Sequence, residues 1–290
     1  MITFEKYELW FVTGSQHLYG DETLDQVASN SQEIANHLDN DTDIPMKVVM
    51  KRTLTTSDEI LSLCKAANAS EACVGLILWM HTFSPAKMWI SGLSILQKPI
   101  LHLHTQFHMH IPWETIDMDF MNLHQSAHGG REFGFINTRL SVKRKVVVGH
   151  WKDPEVIDKL AVWARAAIGW ADCQVMKIAR IGDNMREVAV TEGNKVSAQI
   201  KLGYSVNGYG LGDLVKHIEA VSQIEINHLV NAYLTEYNVT ESLLKSGTRH
   251  KELVEAAKIE IALKSFLENG EFTAFTDTFE NLTGLKQLPG

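Results

Sequence analysis

The sequence predicts an α/β protein in which helices cover a parallel, Rossmann-like sheet, and three observations carry the prediction. Short β-rich runs alternate with helical patterns through the first half of the chain, the signature of parallel strands joined by crossover helices. One of those runs, Val74 to Met80, is almost continuously apolar, as a strand buried on both faces has to be. A second alternation of strand and helix patterns begins near Asp172, and 290 residues are enough for two cores of ordinary size. The domains are therefore placed at residues 1–172 and 173–290, each α/β.

Taken in order, Leu9 to Thr13 reads as the first strand and meets Gly14-Ser15. From about Asp21 to Leu38 the apolar residues Leu24, Val27, Ile34 and Leu38 recur at helical spacing. Lys47 to Met50 is the next strand, and Thr56 with Glu59 reads as a capping box opening a helix through Cys64. After the central strand, Ser84-Pro85 reads as the N-cap and first residue of a helix. Pro99 to Leu103 and Val146 to Val148 are further strands, and Asp153-Pro154 starts a helix. In the second domain, the strand VMKIARIG leads into REVAVTEGNKVSAQIK, whose alternation around Glu192-Gly193-Asn194 predicts a hairpin. Helical patterns run from about Leu211 to Tyr237 and from about Lys251 to Leu267, followed by the strand-like FTAFTDTF.

Apolar residues make up 45% of the chain and charged residues 21%, which excludes a disordered protein. The net charge of -8 argues against a broad phosphate-backbone interface, since nucleic-acid binders carry a basic face. The short run Lys143-Arg144-Lys145 reads as the solvated start of a strand. No apolar stretch is long enough to span a bilayer, and the opening MITFEKYELWFV lacks the layout of a secretory signal. Three cysteines, Cys64, Cys73 and Cys173, show no CxxC spacing and suit a reducing compartment. The expected location is cytoplasmic.

Candidate chemistry sits at strand ends. The first strand runs into TGSQHLYG, and open α/β sheets bind ligands beyond the C-terminal ends of their strands. Gln16 and Tyr19 offer directional hydrogen bonds without charge, which suits sugar hydroxyls, although an ordinary surface turn fits the same position. QSAHGGREFGF, residues 125–135, reads as a loop in which two glycines free the backbone and let a ligand approach His128. A lone histidine without a metal partner or nucleophile is equally at home as a structural or surface residue. His102 and His104 would share a strand face and, with His108 and His110, make a metal pair geometrically conceivable, but zinc-type sites need three or four convergent ligands. Asp117 and Asp119 are either oxygen ligands or helix-start acids. GYGLGD, residues 208–213, fails the dinucleotide fingerprint at Asp213. GDNMREVAV, residues 182–190, predicts a tight turn holding Met185 and Arg186 at a strand end. Met185, Phe83 and Phe279 are core fillers unless a sugar's apolar face lies against them.

Six blocks in order, WFVTGSQHLYG, HTFSPAKMWI, IDMDFMNL, AHGGREFGFI, GDNMREVAVT and FENLTGLKQLPG, resemble the bacterial L-arabinose isomerase family, from about residue 7 to residue 290. The resemblance implies aldose–ketose isomerisation of L-arabinose to L-ribulose, with D-galactose to D-tagatose as side activity, assisted by a divalent metal, commonly Mn2+. It implies a cytoplasmic homo-oligomer, a trimer-based hexamer whose active sites lie between neighbouring subunits. Carried over by position, Gln16, Leu18, Tyr19, Phe83 and His128 are the residues lent to the neighbouring site, while Met185 and Phe279 line the pocket of their own subunit. The family's metal ligands and catalytic carboxylates correspond to positions beyond Gly290, so the expectation is a fragment with an incomplete second domain, no metal ligand and no activity alone. Two alternatives stay open: a non-catalytic sugar-binding or assembly module, and a periplasmic-type sugar sensor built from two α/β lobes.

Overall fold

The computed structural model describes residues 4–287, so the last three residues of the FENLTGLKQLPG block lie outside the described residues. One compact unit ends at Ala171 and another begins at Asp172. In the first, β1 (Glu8–Gly14), α1 (Gly20–Asp39), β2 (Lys47–Met50), α2 (Ser57–Ala69) and β3 (Cys73–Met80) follow one another. Then come α3 (Ile90–Ile95), β4 (Ile100–His104), α4 (Met118–Leu123), α5 (Ser126–Arg139), β5 (Lys145–Val148) and α6 (Pro154–Cys173). Among the described residues this sheet has five strands in the order β2-β1-β3-β4-β5, all parallel. The predicted parallel sheet is therefore observed.

Side-chain alternation along β1 explains why helices cover both faces. Leu9 and Phe11 enter one core with Ile34 and Leu38 of α1 and Leu160 and Ala164 of α6. Trp10 and Val12 point the other way, into a core with Ile60 and Cys64 of α2, Leu93 of α3 and Phe133 of α5. Phe11, Val12, Ile77 and Leu78 are 0% exposed, and each such side chain contributes roughly 1.5–3 kcal/mol of transfer free energy. Burial of both thiols raises Cys64 and Cys73 to about 11, so both are inert core residues.

The second unit contains β6 (Lys177–Ile181), α7 (Lys195–Leu202), β7 (Ser205–Tyr209), α8 (Leu211–Ala220), α9 (Gln223–Glu236), α10 (His250–Asn269) and β8 (Ala274–Asp277). Its strands form a parallel sheet in the order β7-β6-β8. Ala179 and Ile181 of β6 are buried against Leu214 and Ile218 of α8 and Ile259, Leu263 and Phe266 of α10.

Four local expectations are corrected. The hairpin around Glu192-Gly193-Asn194 does not form: residues 189–191 make a 3-10 turn, and the Asn194 side chain accepts from Ser197 N at 2.8 Å, capping α7. Gly203, with φ +91°, ends that helix, so an Asn N-cap and a left-handed glycine override the strand-like alternation between them. The helical run from Leu211 to Tyr237 is two helices, because Ser222 and Glu225 form a reciprocal capping box that starts α9. At the predicted Thr56–Glu59 box only the forward arm exists. Thr56 accepts from Glu59 N at 3.2 Å, while the Glu59 carboxylate reaches back to Thr55 N at 2.9 Å. Ser84 does not cap a helix; its hydroxyl accepts from Trp89 Nε1 at 3.0 Å, and Pro85 precedes a short 3-10 turn.

Candidate functional site

The chain leaves β1 towards β2 on one side and returns to β3 on the other, so the C-terminal ends of β1 and β3 flank a topological switch point. Two loops meet there, Ser15–Tyr19 after β1 and His81–Pro85 after β3. They are tied by a buried hydrogen bond between Ser15 Oγ and Thr82 Oγ1 at 2.7 Å. Replacing Ser15 by alanine would leave the Thr82 hydroxyl buried and unpartnered, so Ser15→Ala is expected to cost about 1–2 kcal/mol in urea unfolding. An unchanged midpoint would show that the tie is dispensable.

The loop after β1 carries Gln16 and then a 3-10 turn, His17–Tyr19. His17 Nε2 lies 3.0 Å from Thr55 Oγ1, and that hydroxyl donates to Glu59 Oε2 at 3.0 Å. Because the single hydroxyl proton is directed at the carboxylate, the imidazole is the donor in the first bond. Partial burial works against the Glu59 charge, yet the hydrogen bonds from Thr55 and the Arg52 guanidinium 3.4 Å away hold its carboxyl below the usual range. His17 is thus an anchor for the turn. Gln16 and Tyr19 are half-buried and Leu18 is 84% exposed, leaving their side chains available on the surface of the crevice.

His128 does not sit in a loop, contrary to the sequence reading. It lies in the first turn of α5, exposed, with its ring stacked on Phe83 at 4.4 Å and 24°. The adjoining glycines do not adopt left-handed backbone conformations. Gly129 is there because a Cβ would stand 2.7 Å from the Thr82 carbonyl oxygen, and one at Gly130 would stand 3.3 Å from His102 Nε2. The glycines let the helix press on the sheet; they do not free a loop for a ligand. Ser126 Oγ donates to the His81 carbonyl at 3.3 Å, and Glu132 accepts from Ala86 N at 2.9 Å. These contacts, none of them evident in the sequence, fix α5 to the loop after β3 and hold His128 over Phe83.

Behind that loop, His81 is fully buried, stacked on Trp79 at 4.2 Å, and within 2.8 Å of Asn30 Nδ2 through Nε2. Burial, reinforced by His124, pushes its pKa down to about 3, so it is a neutral structural histidine. His102 and His104 do share a face of β4, with rings 5.5 Å apart. His108 stands edge-on to His124 at 4.8 Å, and with His110 lines a mainly apolar hollow of about 420 Å³. Among the described residues no three His, Cys, Asp or Glu side chains are grouped to hold a metal ion. Asp117 is the N-cap of α4, accepting from Phe120 N at 2.8 Å.

In the second unit the ends of β6, β7 and β8 surround a polar hollow of about 630 Å³. Gly182, with φ +84°, makes the tight turn after β6, and a Cβ there would stand 2.3 Å from Thr278 Cγ2. Arg180 pairs with Asp183 at 2.8 Å, and Arg186 with Glu280 at 3.8 Å. The lining includes Asn184, Arg186, Tyr209, Thr278 and Glu280; half-buried Met185 and 62%-exposed Phe279 flank it and are not part of it. Asn184, Arg186 and Glu280 are polar groups that the sequence reading did not single out as a set, because they come from segments almost a hundred residues apart.

Residues 3–175 match the L-arabinose isomerase N-terminal domain model, and residues 177–290 match the L-arabinose isomerase central domain model. The chain is 59% identical to an L-arabinose isomerase of Koribacter versatilis, 58% to one of Geobacillus stearothermophilus and 55% to one of Yersinia enterocolitica. Each alignment covers 100% of this chain and 58% of the relative. The chain therefore spans a little more than half the length of these relatives, and no helix of the described residues is long and apolar enough to cross a membrane. Two successive domain models and relatives of this similarity place the chain in the L-arabinose isomerase family.

Proposed function

We propose that this chain supplies the sugar-contacting part of an aldose–ketose isomerase acting on L-arabinose, with D-galactose as a secondary substrate. The observation that carries the reading is the juxtaposition at the β1–β3 switch point of an uncharged hydrogen-bonding loop with the Phe83–His128 stack. Gln16 and Tyr19 hydrogen-bond sugar hydroxyls there, Leu18 and Phe83 lie against the C–H face, and His128 fixes the orientation of a hydroxyl. Met185 and Phe279 flank the corresponding pocket of the second unit.

In the reaction the hydrogen on C2 moves to C1 and the O2 proton moves to O1, so aldose and ketose differ by no atom. This chain's contribution is binding and alignment. A divalent metal, Mn2+ as the family resemblance implies, would polarise the two oxygens when bound. The described residues offer no ligand set for it. We further propose ligands beyond Gly290 and a central domain completed there, a cytoplasmic location, and a trimer-based hexamer in which residues of the β1–β3 crevice face a neighbouring subunit's site. Sedimentation of the purified protein tests the last point; a strict monomer would oppose it.

In a polypeptide of the relatives' full length, His128→Ala is expected to lower kcat/KM for L-arabinose by about tenfold or more, the loss of one or two substrate hydrogen bonds. Mn2+ affinity should hardly change. Loss of metal binding would make His128 a ligand, and unchanged turnover would remove it from the site. Robust isomerisation by the 290-residue protein alone would refute the assignment of the metal ligands. Tight sugar binding without metal and without turnover would favour a binding module.

A further inference from the structure

The first unit holds another hollow, lined by neither Phe83 nor His128, that the isomerase reading leaves unused. It has a volume of about 490 Å³ where α5 crosses β4 and β5, and its lining includes His102, His104, Arg131 and Arg144. Two glycines one helical turn apart make the room. A Cβ at Gly130 would stand 3.3 Å from the Nε2 atoms of both His102 and His104, and one at Gly134 would stand 3.1 Å from Arg144 Nη2.

The charge balance in the hollow is one-sided. Neither Arg131 nor Arg144 forms an ion pair among the described residues. The neighbouring Glu132 directs its carboxylate elsewhere, to Ala86 N at 2.9 Å. His102, 2% exposed, has no partner for Nε2, and Arg144 Nε is buried without one. Contrary to the solvated run expected from Lys143-Arg144-Lys145, Arg144 is half-buried between two exposed lysines. Burial, then the charges of His104 and Arg144, lowers His102 to about 3, and burial followed by the Arg131 charge lowers His104 as well. In a chain of net charge -8, unpaired guanidinium groups from a helix and from the start of a strand converge on one concave surface. Buried polar groups ordinarily have partners, and guanidinium donors match phosphate oxygens in geometry as well as charge.

We propose that this hollow binds a small tetrahedral oxyanion, either inorganic phosphate or the phosphate group of a phosphomonoester, between Arg131, Arg144 and His104. The proposal does not depend on the sugar site. It is tested by calorimetric titration of the purified protein with inorganic phosphate and, separately, with glycerol 3-phosphate, at constant ionic strength and with acetate as control. Histidine ring resonances are followed by NMR in parallel. Saturable binding of one equivalent, with shifts at His102 and His104, is expected, and Arg131→Gln should weaken it by about tenfold or more. Arg131 is exposed, so the variant should keep the wild-type Tm; Arg144→Gln should give the larger loss. Equal affinity for the two probes would mean that only the phosphate is read, and tighter monoester binding would mean that the organic part also makes contact. Non-saturable binding, affinity for acetate equal to that for phosphate, or affinity unaffected by both substitutions would each overturn the proposal.

Discussion

As pH falls below about 6.5, the first unit is expected to lose up to about 3 kcal/mol of stability per pH unit. The cause is the pair His81 and His102, both lowered to about 3 chiefly by burial. Their unfolded-state value is 6.5, so between the two values the unfolded chain binds protons that the folded protein refuses. Stability is therefore greatest above the unfolded value, declines as pH falls through the window, and levels off only near the folded values. Each histidine contributes up to about 1.4 kcal/mol per unit. His124, lowered to about 4, acts in the same direction but more weakly because it is partly open to water. Since a domain has roughly 5–15 kcal/mol in total, two pH units of this slope, about 5 kcal/mol, are comparable with the lower end of that range. Urea unfolding at a series of pH values would measure the slope, and His102→Gln should reduce it by nearly half. A flat stability profile down to about pH 5 would contradict the burial argument.

Gly129→Val should disrupt the candidate site through packing alone. The nearest atom to an added Cβ is a backbone carbonyl oxygen, that of Thr82 at 2.7 Å, with Met80 Cβ at 3.2 Å. A carbonyl in a tied loop cannot rotate away as a flexible side chain would, so either α5 lifts or the loop after β3 moves. Overpacking of this kind costs about 1–3 kcal/mol, and a β-branched residue adds a second methyl group to the same gap. Valine is a better helix former than glycine by a few tenths of a kcal/mol, which does not offset the clash. The expected outcome is a loss of about 3 kcal/mol in stability and, in a full-length enzyme, a rise in KM as His128 leaves Phe83. Retained stability with altered sugar binding would instead support a direct ligand-approach role for Gly129.

Much of the first unit was readable because buried parallel strands advertise themselves. Cys73–Met80 is buried at every position, and no helix that had to satisfy a polar face would be spelled that way. Asn194 and Gly203 carry the right signals for α7, yet the residues between them alternate as in a strand, which shows that caps outrank short-range periodicity. α5 was hidden for the opposite reason. Its glycines depress helix propensity locally, and only contact with Thr82, His102 and His104 explains them.

By itself the sequence determined the α/β class, the parallel central strand and the family blocks, since these depend on side-chain polarity and local order along the chain. Tertiary structure alone decided that His128 belongs to a helix stacked on Phe83, that His17 anchors its turn through Thr55, and that Arg144 turns inward. Those outcomes depend on what stands within a few ångströms across distant segments, and desolvation, close packing and hydrogen-bond pairing act through that spatial proximity.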